Sequence, residues 1–253
     1  MTALAAHDLA VEFGGIRAVD GVTFELEEGA ITAMIGPNGA GKTTLFNLLS
    51  GLYQPTRGRV RLFGDDVTGT LPHRLAALGL SRTFQNLEVF FRMSAEENVM
   101  VGHHLAERRS VWRHLLPLPP MLGDERQARQ DARVALARVG LGDVGGGPAA
   151  DLPYGALKRL EIARALAAKP RILLLDEPAA GCNDAETEAL SALIDQLARD
   201  GITILLVEHD MTMVMSVSRR VIVLSEGRII ADGAPQEIRS DPAVHEAYLG
   251  SPA

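Results

Sequence analysis

Apolar residues recur along this chain with two spacings, and the spacing changes twice. Through residues 8–35 they form short runs, LAVEF, VTFELEEG and AITAMIG, parted by turn signals such as Glu27-Glu28-Gly29. A further run, Arg59-Val-Arg-Leu-Phe63, follows Pro55-Thr-Arg-Gly58. These predict a small antiparallel β layer beside the first strand of a core. From about residue 85 to 165 strand-like runs disappear, and residues 95–106 and 125–139 have helical periodicity. Between those two helices, SVWRHLLPLPPMLG contains Pro117, Pro119 and Pro120, which forbid a continuous helix. Gly145-Gly-Gly-Pro148 marks a flexible junction. After residue 171 the runs RILLLD and ITILLVE read as buried strands, residues 186–199 between them as an amphipathic helix, and VIVLSEGRIIADG as a hairpin closed around Ser225-Glu226-Gly227. Buried strands alternating with helices predict a parallel sheet covered on both faces. The expected division is a core at residues 1–86 and 162–253, with an inserted helical subdomain at 87–161.

Composition narrows what such a fold can be used for. The net charge of -7 argues against a general nucleic-acid binder, and aromatic residues, at 4%, are too few for rows of stacked bases. One cysteine, Cys182, excludes an internal disulfide and fits a reducing compartment. No apolar run reaches the roughly 18–20 residues of a membrane helix, and the N-terminus lacks a signal-peptide pattern, so membrane contact is expected to be peripheral.

Two motifs bring in chemistry. Gly36-Pro37-Asn38-Gly39-Ala40-Gly41-Lys42-Thr43, followed by Thr44, satisfies the P-loop pattern, with an apolar strand before it and a helix-like run after it. The glycines let backbone N–H groups turn inward around phosphates, and the helix N-terminus adds positive potential. Lys42 would reach the β- and γ-phosphates, and the Thr43 hydroxyl would ligate Mg²⁺. Ile172-Leu-Leu-Leu-Asp176-Glu177 is a Walker B strand: four apolar residues bury it and deliver Asp176 to hold Mg²⁺ through water. Glu177 is placed to polarise an attacking water as general base. Together they indicate an α/β fold with a P-loop NTPase (RecA-like) core that uses ATP and Mg²⁺.

With these motifs in place, nearly the whole chain resembles the ATP-binding subunits of ABC transporters. In that family a glutamine senses the γ-phosphate and the metal, and Gln85 in Arg82-Thr-Phe-Gln85-Asn86 fits it. A histidine after the next strand contacts the γ-phosphate, which His209 in Leu205-Leu-Val-Glu-His209 matches, while Phe13 holds the place of an adenine-stacking ring. The resemblance implies a head-to-tail dimer in which a Leu-Ser-Gly-Gly-Gln signature covers the partner's ATP. Here the signature reads Leu152-Pro153-Tyr154-Gly155-Ala156, so the serine hydroxyl is absent. Gly155 and the helix beginning there retain backbone donors and a dipole, which would act in trans on the partner's phosphate. Pro153 suits the first turn, and Lys169 near the helix end would meet its negative pole.

The altered signature and the stretch Pro178-Ala-Ala-Gly-Cys-Asn183 are similar to those of ATPases serving branched-chain amino-acid importers, with Asn183 at the dimer interface where most relatives have aspartate. This implies two transmembrane permeases, a second ATPase subunit (a paralogue or a second copy), indirect work with an extracytoplasmic binding protein, and a place on the cytoplasmic face of the inner membrane. Cys182 reads as a small apolar filler. Leu87, Val89, Phe90, Phe91 and Met93 form an apolar run suited to a groove for a permease helix, or to the core of the helical lobe. Alternatives at this stage are an ATPase of a lipopolysaccharide exporter, a non-transport ABC ATPase and a P-loop kinase.

Overall fold

The computed structural model describes residues 1–84, 87–106, 122–144 and 146–249. Gln85 and residues 110–121 of the proline-rich stretch lie outside these residues. Two sheets organise the chain. The first is antiparallel, in the order β2-β1-β4-β5, built from β1 (Thr2–Phe13), β2 (Ile16–Glu27), β4 (Arg57–Leu62) and the two-residue β5 (Asp65–Asp66). From Val22 onward β2 alternates buried and exposed side chains, so one face packs inward while the other meets solvent.

The second sheet has six strands in the order β10-β9-β3-β8-β7-β6. Its members are β3 (Ile31–Ile35), β6 (Leu80–Arg82), β7 (Ile172–Asp176), β8 (Thr203–Val207), β9 (Arg220–Ser225) and β10 (Arg228–Gly233). Every pair from β9 to β6 is parallel, and β10 folds back antiparallel on β9. In β3, β7 and β8 every residue is buried, as expected of strands covered on both faces.

Helices cover this sheet: α1 (Lys42–Leu49), α2 (Pro72–Ala77), α3 (Ala95–Ala106), α4 (Leu122–Arg138), α5 (Tyr154–Ala167), α6 (Asp184–Arg199), α7 (Met211–Val217), α8 (Pro235–Ser240) and α9 (Pro242–Leu249). Leu190, Leu193, Ile194 and Leu197 of α6 recur at helical spacing and are buried. They join α3, α4 and α5 in one core that includes Val99, Leu136, Leu160 and Ile204. A second core, with Phe46, Leu9 and Leu26, lies between the antiparallel layer and the central sheet.

The sequence placed most of these elements and missed some boundaries. Both β1 and β2 run for 12 residues, longer than the runs LAVEF and VTFELEEG, because β1 opens on an alanine-rich stretch of weak strand propensity and β2 carries Asp20-Gly21 in its middle. Helix α6 begins at Asp184, two residues early, because Asn183 caps it. Pro153 is the N-cap residue of α5, one place outside the first turn. Lys169 does more than face the end of α5: it has φ +52 and its amino group pairs with Asp131 at 2.9 Å.

Candidate functional site

The P-loop connects the end of β3 to α1. Its conformation depends on glycine: Gly41 has φ +100, and a Cβ there would collide with the Ala18 carbonyl. The Lys42 side chain is buried and curls back, donating to the carbonyls of Gly36 at 2.6 Å and Pro37 at 3.0 Å. Burial pulls its ammonium below the ordinary lysine range, and the charges of Glu177 and Asp176 oppose that. Thr43 and Asn38 are exposed at the loop surface. Phe13, at the end of β1, is 46% exposed and meets the edge of Tyr53 at 5.3 Å between ring centroids.

Opposite the loop, β7 ends in Asp176, and Glu177 follows in the left-handed region at φ +49. Such a conformation is costly for a residue with a Cβ and is found where surrounding contacts enforce it. One is the backbone bond from the Glu177 amide to the Val207 carbonyl, 2.9 Å. The turn brings the Glu177 carboxylate 2.7 Å from Nε2 of His209, which follows β8. Glu208, buried beneath, accepts from the amides of Ala179 at 2.7 Å and His209 at 3.0 Å, fixing the two loops against each other. Burial raises its carboxyl above the usual range, while those two backbone bonds resist the shift.

Asp176 is buried and held by Arg82, the last residue of β6. The guanidinium donates to Asp176 Oδ2 at 2.8 Å, to Asn47 Oδ1 at 2.6 Å and to Ser50 Oγ at 3.0 Å. It lies 5.5 Å from the ring centroid of Phe46 and 5.4 Å from that of Phe84. Burial pushes the Asp176 carboxyl upward, and the Arg82 hydrogen bond and charge push it back. One arginine therefore joins β7, the end of α1 and the segment leading to Gln85.

The signature segment closes on its own subunit. The Tyr154 hydroxyl donates to the Ala180 carbonyl at 3.0 Å, and its ring covers Gly181. The Gly155 amide donates to Glu186 Oε1 at 3.1 Å. Asn183 caps α6 by accepting from the Glu186 amide at 3.0 Å, and Glu186 Oε2 accepts in turn from the Asn183 amide at 3.0 Å.

The ABC transporter family matches residues 19–180 of this chain, and the family described as branched-chain amino acid ATP-binding cassette transporter matches residues 228–253. The high-affinity branched-chain amino acid transport ATP-binding protein BraF of Pseudomonas aeruginosa is 46% identical, over 98% of this chain and 97% of that protein. This chain is an ABC transporter ATPase. A nucleotide-free ATP-binding cassette from an ABC transporter superposes with a TM-score of 0.88 at 30% identity, covering 99% of this chain and 100% of that one. MJ0796, a bacterial ABC transporter cassette of dimeric structure, superposes at 0.76 with 25% identity over 92% of this chain and 98% of that one.

In this ABC ATPase the P-loop, Asp176, Glu177 and His209 converge at the carboxyl ends of adjacent parallel strands. Gly155 and Asn183 meet at the Glu186 carboxylate. Among the described residues no three His, Cys, Asp or Glu side chains cluster as a metal cage. Burial raises the Cys182 thiol pKa and the charge of Glu186 adds to it, so Cys182 has the character of a filler.

Two residues of this ABC ATPase escaped the sequence. Arg82 was legible only as a neighbour of Gln85, because its partners lie up to 94 positions away. Glu186 showed as an ordinary helix residue, although Asn183 followed three places later by glutamate is a capping-box signal. The apolar run after Gln85 divides: Val89 is buried in the core, while Phe90, Phe91 and Met93 are exposed. A groove of about 420 Å³ opens beside it, lined by Leu52, Ala76, Arg82, Phe84, Glu88 and Arg164 among others.

Proposed function

We propose that this chain is the ATP-hydrolysing subunit of an importer for branched-chain or related amino acids, seated on the cytoplasmic face of the membrane beneath two permeases. A second ATPase subunit, another copy or a paralogue, packs head to tail against it, and a binding protein on the far side delivers the cargo. The near full-length similarity to BraF carries this reading. No helix among the described residues is long and apolar enough to cross a membrane, which fits a subunit that relies on partners for the membrane path.

ATP stacks its adenine at Phe13 and lays its phosphates over the amides of residues 36–44. Lys42 leaves the carbonyls of Gly36 and Pro37 for the β- and γ-phosphates. Thr43, Asp176 and Gln85 would hold Mg²⁺, whose charge would offset that of the phosphates. Glu177 takes the proton of the attacking water, and His209, already 2.7 Å from it, fixes the carboxylate and reaches the γ-phosphate. Catalysis is then mainly positioning and electrostatic stabilisation. A permease helix fits the groove beside Arg82 and Phe84, where its movement reaches the metal side of the site through one side chain.

Glu177→Gln should keep ATP binding and lose about 10²–10⁴-fold in hydrolysis, measured by phosphate release; turnover near the parent's would move the base elsewhere. Purification of the tagged protein from its native membranes tests the assembly. Two multi-spanning permeases with a second ATPase support amino-acid import, whereas export-type membrane partners with identical ATPase copies overturn it in favour of lipid export.

A further inference from the structure

Glu186 links the two segments that the proposed dimer brings to the partner's ATP. One carboxylate oxygen accepts from the Asn183 amide at 3.0 Å, and the other from the Gly155 amide at 3.1 Å. A Cβ on Gly155 would lie 2.6 Å from Glu186 Oε1 and 2.8 Å from its Cγ, so glycine lets the carboxylate come this close and an alanine there would push that flexible side chain aside.

The Gly155 amide belongs to the first turn of α5, where backbone donors lack helical acceptors and the helix end attracts negative charge. The next two amides, of Ala156 and Leu157, are already taken by the Pro153 carbonyl at 2.9 Å and 3.0 Å. No side chain caps this helix from its own N-cap position, because Pro153 has no polar group there. The carboxylate of Glu186 supplies what a serine hydroxyl would otherwise give, but it supplies it as an anion. On the head-to-tail reading above, on which this inference rests, the partner's γ-phosphate approaches the same donor. One N–H cannot serve both anions, and each repels the other.

We propose that Glu186 is a positioning residue that occupies the signature's phosphate donor in the resting subunit and gives it up to the terminal phosphate of the partner's ATP. ADP has no third phosphate to contest the donor, so the opened dimer returns to the Glu186-bound arrangement. Because the same carboxylate closes the cap at Asn183, the exchange at Gly155 also reaches the start of α6 and the loop before it.

The test uses the ATPase pair recovered by the purification above, with Glu177→Gln in each subunit to block hydrolysis. Glu186→Gln keeps an amide oxygen for the cap, since glutamine serves at this position in capping boxes, and removes the charge. The ATP-dependent dimer should tighten by about two- to fivefold in analytical ultracentrifugation, the size of a charge effect at a helix end. ADP should leave association unchanged, and the melting temperature should stay within about 2 °C of the parent. Glu186→Ala loses cap and charge together, so it should melt lower and still dimerise more tightly with ATP. A Glu186→Gln dimer no tighter than the parent overturns the inference while leaving the dimer standing. A parent pair that fails to associate with ATP overturns the head-to-tail reading, and this inference with it.

Discussion

The P-loop and the signature helix both present a helix N-terminus without a side-chain cap, Gly41 before α1 and Pro153 before α5. They are filled in opposite ways. At the P-loop a lysine lies folded against the carbonyls of its own loop. At the signature a carboxylate borrowed from α6 sits on the buried Gly155 amide. The first end is accompanied by a cation of the protein's own and the second by an anion. Loss of the signature serine therefore need not leave a bare helix end, since a residue 31 positions later satisfies it.

Substitutions at each end should separate the two plans. The largest effect is expected at Arg82→Ala, which strands the buried Asp176 carboxylate and should cost about 3–5 kcal/mol of stability. Denaturant titration would register it, and Arg82→Lys should recover only part, because lysine lacks the fork that spans three acceptors. A loss no greater than for a surface residue would show that the nucleotide end is held some other way. Lys42→Ala should weaken nucleotide affinity about ten- to hundredfold, the value of one or two charge-assisted bonds, in a fluorescent-nucleotide titration. Fold stability should change less than for Arg82→Ala.

On the signature side the effects shrink. Asn183→Ala should cost about 1 kcal/mol by removing the acceptor of the α6 cap, visible as a drop of a few degrees in melting temperature. No change there would mean that Glu186 holds the helix start unaided. The smallest effect concerns Cys182. Its thiol pKa is raised by burial and by Glu186, so less thiolate is present at pH 8 than in a free cysteine, and alkylation should be slower. Glu186→Gln removes one of those causes and should speed the reaction modestly.

The nucleotide end was largely legible from the sequence because local patterns build it. The P-loop, the strand carrying Asp176 and Glu177, and His209 after β8 are each announced by neighbours in the chain. Contacts that orient them were not legible. Arg82 reads as one more arginine until β6 pairs with β7, and Glu186 as an ordinary helix residue until α5 is packed beside it. Phe13 shows the same limit: its letter marks the end of a strand, but only the fold shows it exposed beside Tyr53. The long strands β1 and β2 were shortened in the sequence because the alanine-rich start of β1 and Asp20-Gly21 in β2 are weak strand signals.

The strand order has a consequence for how the protein is made. Strand β3, which launches the P-loop, has β8 on one side and β9 on the other, both from the last quarter of the chain. A chain emerging from the ribosome thus carries a complete P-loop sequence long before it can form the sheet that shapes it. Pairings so distant are slow to close and leave apolar strand edges waiting. ATP can bind only once they have closed, so it stabilises the finished fold by mass action and not its precursors. The substrate that this ATPase later consumes is also the ligand that marks its folding as complete.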